Sequence, residues 1–104
     1  MIIREWRARA PLSLAHAYPQ HFHARVLPEL SHVPGFRGAW LTQRRVGESM
    51  EFLVLTRWDS MEAIRGFAGA DAEKAVVEPA AQAVLSSFDS HVRHYEVLQE
   101  TPLA

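Results

Sequence analysis

The stretch EFLVLTRWDSMEAIRGFAGA, residues 51–70, predicts a strand that turns directly into a capped helix. One face of the strand carries Phe52, Val54, Thr56 and Trp58, and the other carries Leu53 and Leu55. A half-exposed strand is apolar on one face only, whereas this strand is apolar on both faces over its middle. In a chain of 104 residues, one layer of helices covers one of these faces. The pattern therefore predicts that a partner subunit covers the other face.

The rest of the chain predicts the element order β-α-β-β-α-β. Strands are predicted over residues 2–9, 36–46 and 50–58 and within residues 88–99. The first helix carries an apolar row at four-residue spacing, formed by Leu14, Tyr18, Phe22, Val26 and Leu30, and we expect Pro19 and Pro28 to disturb it. The second helical region is predicted in three pieces, over residues 60–69, 71–77 and 79–87.

This order is typical of an α+β, ferredoxin-like fold, in which a four-stranded antiparallel sheet has its helices on one face. We expect one domain over residues 1–99 and a loose tail over residues 100–104. The open face, which carries Leu53 and Leu55, is predicted to meet its copy across a two-fold axis.

Composition excludes several classes of protein. The formal net charge is −1 and the arginines are scattered, so no nucleic-acid partner is expected. No apolar run is long enough to span a bilayer, and the first residues lack the order of a signal peptide. The chain has no cysteine, which excludes disulfides, thiol catalysis and thiolate metal sites. We therefore expect a cytoplasmic protein that does not bind membranes.

Several motifs resemble the antibiotic biosynthesis monooxygenase family of dimeric α/β barrels. They are VPGF at 33–36, TRWDS at 56–60, AI at 63–64, FAG at 67–69, Asp71, AV at 75–76 and HYEV at 94–97. The resemblance implies a homodimer and two alternative chemistries. One group in the family oxidises phenolic compounds to quinones with molecular oxygen, without a metal or flavin. The other group degrades heme.

The heme chemistry that the resemblance implies requires an asparagine on the first strand, an aromatic residue in the second helical region and a histidine further along. This chain has no asparagine, has Phe67 at the aromatic position, and has Val76 and Val77 where the histidine is expected. We therefore expect no heme, flavin or metal. The first hypothesis is a cofactor-independent monooxygenase acting on a small phenolic or quinol-like aromatic in a pocket between sheet and helices. The alternative is a non-catalytic dimeric barrel that binds a small hydrophobic ligand.

The candidate catalytic residues are His94 and Arg4. His94 shares its strand face with Glu96, and a histidine beside a carboxylate suits a general base near neutral pH. Arg4 is predicted to point under the helices, where a charge needs a partner. It either pairs with a carboxylate such as Glu96 or lines a pocket for an anionic group. A structural hydrogen bond is the alternative role for His94.

Four aromatic residues and Glu96 are the candidates for substrate binding. Trp6 and Trp40 are predicted on the helix-covered face, Trp58 at the end of the central strand, and Phe67 on the inward side of the following helix. Each of the four either lines a pocket or simply fills the core. His16, His21, His23 and His32 are predicted on the first helix without the spacing of a metal site.

Overall fold

The computed structural model describes residues 1–103. Its strands are β1 (Ile2–Pro11), β2 (Phe36–Val46), β3 (Ser49–Trp58), β4 (Ser87–Phe88) and β5 (Arg93–Glu96). Its helical elements are a 3-10 helix (Leu12–Leu14), α1 (Ala17–His21), a π-helical turn (Phe22–Val26), α2 (Leu27–Ser31), α3 (Met61–Ala68) and α4 (Pro79–Gln82). Within the described residues, no helix is both long and apolar enough to cross a bilayer.

The strands form one antiparallel sheet in the order β2-β3-β1-β4, and β5 also pairs with β1. β4 and β5 together occupy the place of the predicted last strand, since both lie along the same edge of β1. The helices lie on one side of this sheet. The predicted α+β, ferredoxin-like fold is therefore confirmed, with the last strand divided into two pieces.

The core lies between the helices and one face of the sheet. Its first cluster consists of Ala10, Tyr18, Phe22, Phe52, Val54 and Ala81, and its second consists of Leu30, Trp58, Ile64 and Ala72. β3 contributes to both clusters, as the alternation of its apolar residues predicts. On the other face of β3, Leu53 and Leu55 are half-buried, and within residues 1–103 no helix covers them.

The first helical region accommodates its prolines through one wider helical turn and is not interrupted at them. Pro19 lies in the first turn of α1, where its missing N–H removes no helical bond. Ahead of Pro28 the chain forms the π-helical turn, in which the N–H of Leu27 bonds to the carbonyl of Phe22. A wider turn suits a position that precedes a proline, because a proline ring crowds the carbonyl four residues back.

α3 begins and ends where the sequence predicts. The hydroxyl of Ser60 accepts a hydrogen bond from the backbone N–H of Ala63 at 3.1 Å, which makes Ser60 the N-cap. Gly69 ends the helix with a φ of 88°, a conformation that favours glycine. The inward residues of this helix are Met61, Ile64 and Phe67, as predicted, and Ile64 is fully buried.

The helix predicted over residues 71–77 is wrong. This segment is mostly extended, because it pairs with the chain ahead of β5 through bonds from Ala75 N to Ser90 O at 2.9 Å and from Val92 N to Glu73 O at 2.8 Å. Long-range pairing and the side chain of Arg4 therefore satisfy backbone groups that a helix would satisfy internally. α4 is also shorter than predicted and ends at Gln82.

The predicted position of Trp40 on the helix-covered face is wrong as well. A β-bulge between Phe36 and Gly38 shifts the register of β2 against β3 by one residue. Since side chains alternate along a strand, this shift sends every later side chain of β2 to the opposite face. Trp40 consequently pairs with Leu55 on the open face, where it is 50% exposed and contacts the guanidinium of Arg57.

Candidate functional site

The candidate site is a cavity between the helix-covered face of the sheet and the helical layer. Its volume is about 70 Å³. Most of its lining is apolar, and the polar groups among its walls belong to Arg4, Tyr18, His21, Glu29, Thr56 and Glu78. Two of the polar residues, Glu29 and Glu78, are not fully buried, and Val76 in the wall is 50% exposed. We infer that these three residues surround the entrance.

Arg4 lines the cavity and also stabilises its wall. β1 places Arg4 under the helices, where it is 6% exposed. Its guanidinium donates to the carbonyl oxygens of Ala72 at 2.5 Å and Lys74 at 3.0 Å, both in the extended segment. Burial lowers the pKa of Arg4 to about 10, so the group stays charged at neutral pH. Its partners include no carboxylate among the described residues, so of the two alternatives for Arg4 the pairing with Glu96 is not formed.

His94 is adjacent to Arg4 but does not line the cavity in the described structure. Nη1 of Arg4 lies 3.0 Å from Nε2 of His94. Arginine has no acceptor, so Nε2 accepts this bond and the imidazole proton sits on Nδ1. Burial, followed by the charge of Arg4, lowers the pKa of His94 below its ordinary value of 6.5. The nitrogen that a general base would use is therefore already occupied, which argues against the catalytic role predicted for His94.

The remaining predicted site residues lie in three different surroundings. Trp6 and Phe67 line the cavity, and Nε1 of Trp6 donates to the carbonyl of Asp89 at 2.8 Å. Trp58 is fully buried in the second core cluster and donates to the hydroxyl of Thr56 at 2.8 Å, so it supports the wall without lining it. Glu96 is exposed and lies opposite Ile2 at the end of β5.

Two cavity residues, Tyr18 and His21, were not among the predicted site residues. The Tyr18 ring lies 5.7 Å from Trp6, 5.3 Å from Phe52 and 6.1 Å from the imidazole of His21, measured between centroids. Burial raises the pKa of the Tyr18 hydroxyl, which keeps it neutral. Nε2 of His21 is buried and has no hydrogen-bond partner among the described residues.

A sequence signal for His21 exists in the apolar row of the first helix. Tyr18 belongs to that row, and a residue three positions further along a helix lies on the same side. His21 therefore points toward the core, whereas His23 is exposed. The four histidines of this segment look alike as a group, and only their positions relative to Tyr18 distinguish them.

The geometry defines a small α+β protein with a largely apolar cavity. One cationic group and a few hydrogen-bonding groups are part of the cavity lining. The chain belongs to the antibiotic biosynthesis monooxygenase family, whose sequence profile matches residues 1–79. No protein of curated function matches the chain by sequence.

Solved structures of related architecture cover nearly the whole chain. The heme degrader MhuD from Mycobacterium tuberculosis is 22% identical, with 96% of this chain and 99% of that chain covered and a TM-score of 0.65. ActVA-Orf6 of Streptomyces coelicolor, in complex with nanaomycin D, is 17% identical, with 99% and 91% covered and a TM-score of 0.65. SnoaB, a cofactor-independent oxygenase from Streptomyces nogalater, is 17% identical, with 98% of each chain covered and a TM-score of 0.63. At these identities the likeness establishes the fold alone.

A heme does not fit the residues present. The wall positions where the family resemblance places an iron ligand are occupied by Val76 and Val77, and residues 1–103 contain no cluster of three side chains able to hold a metal ion. The reaction proposed for this protein therefore uses only its own side chains.

Proposed function

We propose that the protein is a monooxygenase that oxidises a small phenolic or quinol-like aromatic molecule with molecular oxygen and without a cofactor. The observation that carries this proposal is the aromatic and aliphatic cavity that contains the buried charge of Arg4. Membership of the family and the shared architecture with ActVA-Orf6 and SnoaB support it. The second candidate is a non-catalytic dimeric barrel that binds a small hydrophobic ligand in the same cavity.

Arg4 is the group that we propose to stabilise the substrate anion. A neutral phenol passes electrons to oxygen poorly, whereas its anion does so readily. Arg4 uses three of its five N–H donors on Ala72, Lys74 and His94, which leaves two for a ligand. In an anthrone-like substrate, one oxygen atom enters the ring carbon as a carbonyl, and the two hydrogens of that carbon leave with the other oxygen atom as water.

The present cavity must widen before an aromatic ring enters. Its 70 Å³ is about half of the ~150 Å³ that admits benzene in an engineered apolar cavity. The wall formed by residues 71–78 contains no helix and is joined to the rest of the chain through a few hydrogen bonds. We therefore propose that residues 76–78 of this wall move outward when the ligand binds, while β1 and β3 stay in place and Arg4 keeps its bonds to Ala72 and Lys74.

We also propose a cytoplasmic homodimer that buries the open face of the sheet. The centre of that face is apolar and consists of Trp40, Leu53 and Leu55. Its charges are largely paired within the subunit, since Glu51 bonds to Arg9 at 3.0 Å and to Arg44 at 2.9 Å. An apolar centre with a polar rim is the ordinary anatomy of a protein interface.

Oxygen consumption with a panel of anthrones, hydroquinones and naphthols tests the oxidase activity. We expect an anthrone or a naphthol to be oxidised to its quinone with one atom of labelled oxygen in the product, whereas a hydroquinone that only loses hydrogen gains no label. Ala81→Leu fills the cavity from its wall and should abolish turnover, because Ala81 is 3% exposed and lines the cavity. Ala80→Leu is the matched control, since Ala80 is the exposed neighbour on the same helix.

Melting temperatures recorded on the same panel separate the two candidate functions. Compounds that raise the melting temperature of the wild type but not of Ala81→Leu, without oxygen consumption, favour the binding barrel. Equal oxidation by Ala81→Leu and the wild type contradicts the assignment of the reaction to this cavity. The melting temperature of each unliganded variant shows whether the larger side chain destabilises the fold, as overpacking of a core often does.

A further inference from the structure

We propose that His21 is the general base of this site and takes the proton from an aromatic hydroxyl bound in the cavity. This inference rests on the proposed function, because it names the base for that reaction. The observation behind it is the buried Nε2 of His21, which lines the cavity without a hydrogen-bond partner among the described residues. A buried polar atom left unpaired costs free energy, so a ligand that pairs with it binds more favourably.

The other polar groups of the cavity are less suited to this role. Arg4 only donates hydrogen bonds, and the Thr56 hydroxyl already accepts one from Trp58. Tyr18 holds its own proton, because burial raises the pKa of its hydroxyl. Glu29 and Glu78 are the other charged groups of the lining, and both are partly or fully exposed. Nε2 of His21 is the buried acceptor that remains.

The two nitrogens of His21 face different surroundings. Nε2 is closed off from solvent. Nδ1 bonds to no group of the described residues and is not closed off, so we infer that it contacts solvent. With the proton on Nδ1, the Nε2 lone pair is free to accept the hydroxyl proton. The O–H bond then breaks, its electron pair stays on the oxygen, and Nδ1 releases a proton to water.

Local structure holds His21 and its aromatic neighbours around one volume. The imidazole lies 6.1 Å from the Tyr18 ring, and the π-helical turn begins at the next residue, Phe22. Phe22 and Val26, the first and last residues of that turn, both line the cavity. Single π-helical turns occur frequently at functional sites, where they adjust which side chains face a ligand.

Binding of para-nitrophenol tests the inference independently of oxidation, because the phenolate absorbs at a longer wavelength than the phenol. We expect the wild type to bind the probe and to lower its apparent pKa. His21→Gln keeps a hydrogen-bonding side chain of similar length but takes up no proton, and it should reduce this shift to the part that the charge of Arg4 contributes. His21→Phe should weaken binding as well. His23→Gln is the matched control, since His23 is exposed in the same segment.

Oxygen consumption then distinguishes the failure of the inference from the failure of the proposed function. Turnover of His21→Gln should fall by roughly 10²–10⁴-fold, the usual effect of removing a general base. Wild-type turnover by a folded His21→Gln overturns the inference while the oxidase activity stands. If the pKa of the bound probe depends on His21 but no compound leads to oxygen consumption, His21 is the proton acceptor and the proposed monooxygenase activity is contradicted. Probe binding that is absent, or equal in all variants, also overturns it.

Discussion

Arg4 and His94 form a polar pair that stabilises the wall of the cavity. The arginine donates to two carbonyls of the extended segment, and His94 accepts a further bond from the same guanidinium. A protonated His94 has no lone pair for this bond and places a second positive charge beside Arg4. The neutral imidazole is therefore the form that stabilises the folded protein, and acid should weaken this part of the structure.

The pH dependence of stability tests this arrangement at His94. The folded pKa of His94 is lowered from 6.5, so between the two values the unfolded chain binds a proton that the folded chain does not. Above pH 6.5 this contribution is complete, and it is lost as the pH falls through the folded pKa. We expect the melting temperature of His94→Gln to decline less than that of the wild type between about pH 7.5 and about pH 5.

His91→Gln is the control for that experiment, because His91 is exposed and precedes the same strand. It should follow the wild-type decline. Parallel curves for the wild type and His94→Gln contradict the assigned titration.

Sequence reasoning identified part of the site at the level of single residues. The alternation of β1 places Arg4, Trp6 and the helices on one side, and this needs no knowledge of the rest of the fold. The partners of Arg4 were not predictable, because they are backbone carbonyls of a segment whose own pattern indicates a helix. Every residue has a backbone carbonyl, so the residue types in a sequence do not indicate which carbonyl accepts a hydrogen bond.

At the scale of elements, the turn before β2 brings two segments close together. Gly35 has a φ of 89°, and its carbonyl accepts a bond from Asp59 N at 2.9 Å. A Cβ at this position would lie 2.5 Å from the Cβ of Ala63 in α3. The glycine is therefore required twice, once for its backbone conformation and once for the approach of the helix.

Alanine at two glycines should have opposite effects on stability. Gly35→Ala combines a left-handed backbone with a collision against α3, and we expect it to lower the free energy of unfolding by about 2–4 kcal/mol. Gly66→Ala should raise that free energy by about 0.5–1 kcal/mol, because alanine favours the interior of a helix. Gly66 is exposed in α3, and among the described residues no atom outside its local surroundings lies within 4 Å of a Cβ there. Chemical denaturation measures both, and effects of the same sign would contradict the argument.

Elements with strong local signals were predictable, and elements fixed by distant partners were not. α3 has its Ser60 cap and its Gly69 stop within the sequence that forms it. The bulge after Phe36 is hard to predict from the sequence, because both alternating sets of β2 residues contain apolar side chains. Trp40 belongs to one set, and Ala39 and Leu41 belong to the other. The π-helical turn is similarly hidden, because an apolar row at four-residue spacing fits both kinds of helix.

At the scale of the whole molecule, the described residues leave the open face of the sheet without a covering layer. Trp40 joins Leu53 and Leu55 there as a consequence of the bulge. The face that the sequence predicts to be apolar therefore carries one more aromatic side chain than expected. This strengthens the argument for a partner of the same kind.

Light scattering coupled to size exclusion tests the proposed homodimer. We expect a mass of twice the 11.8 kDa chain at micromolar concentration. Leu55→Glu should convert the protein to a folded monomer, because an unpaired charge in an interface is costly to desolvate. Ala24→Glu introduces the same charge at an exposed position of the π-helical turn and should leave the dimer intact. A monomeric wild type, or a dimeric and folded Leu55→Glu, would contradict the proposal.

The threefold pairing of β1 has a consequence for how the chain is made. β1 leaves the ribosome before all three of the strands that pair with it, β3, β4 and β5, and the contact between Arg4 and His94 spans 90 positions. Until residues 87–96 emerge, one side of β1 has no partner strand and its backbone groups remain available to other chains. Such distant pairing slows folding. The nascent chain therefore completes this sheet only after residues 93–96 have emerged, and the cavity wall, which pairs with residues 90–92, forms at the same late stage.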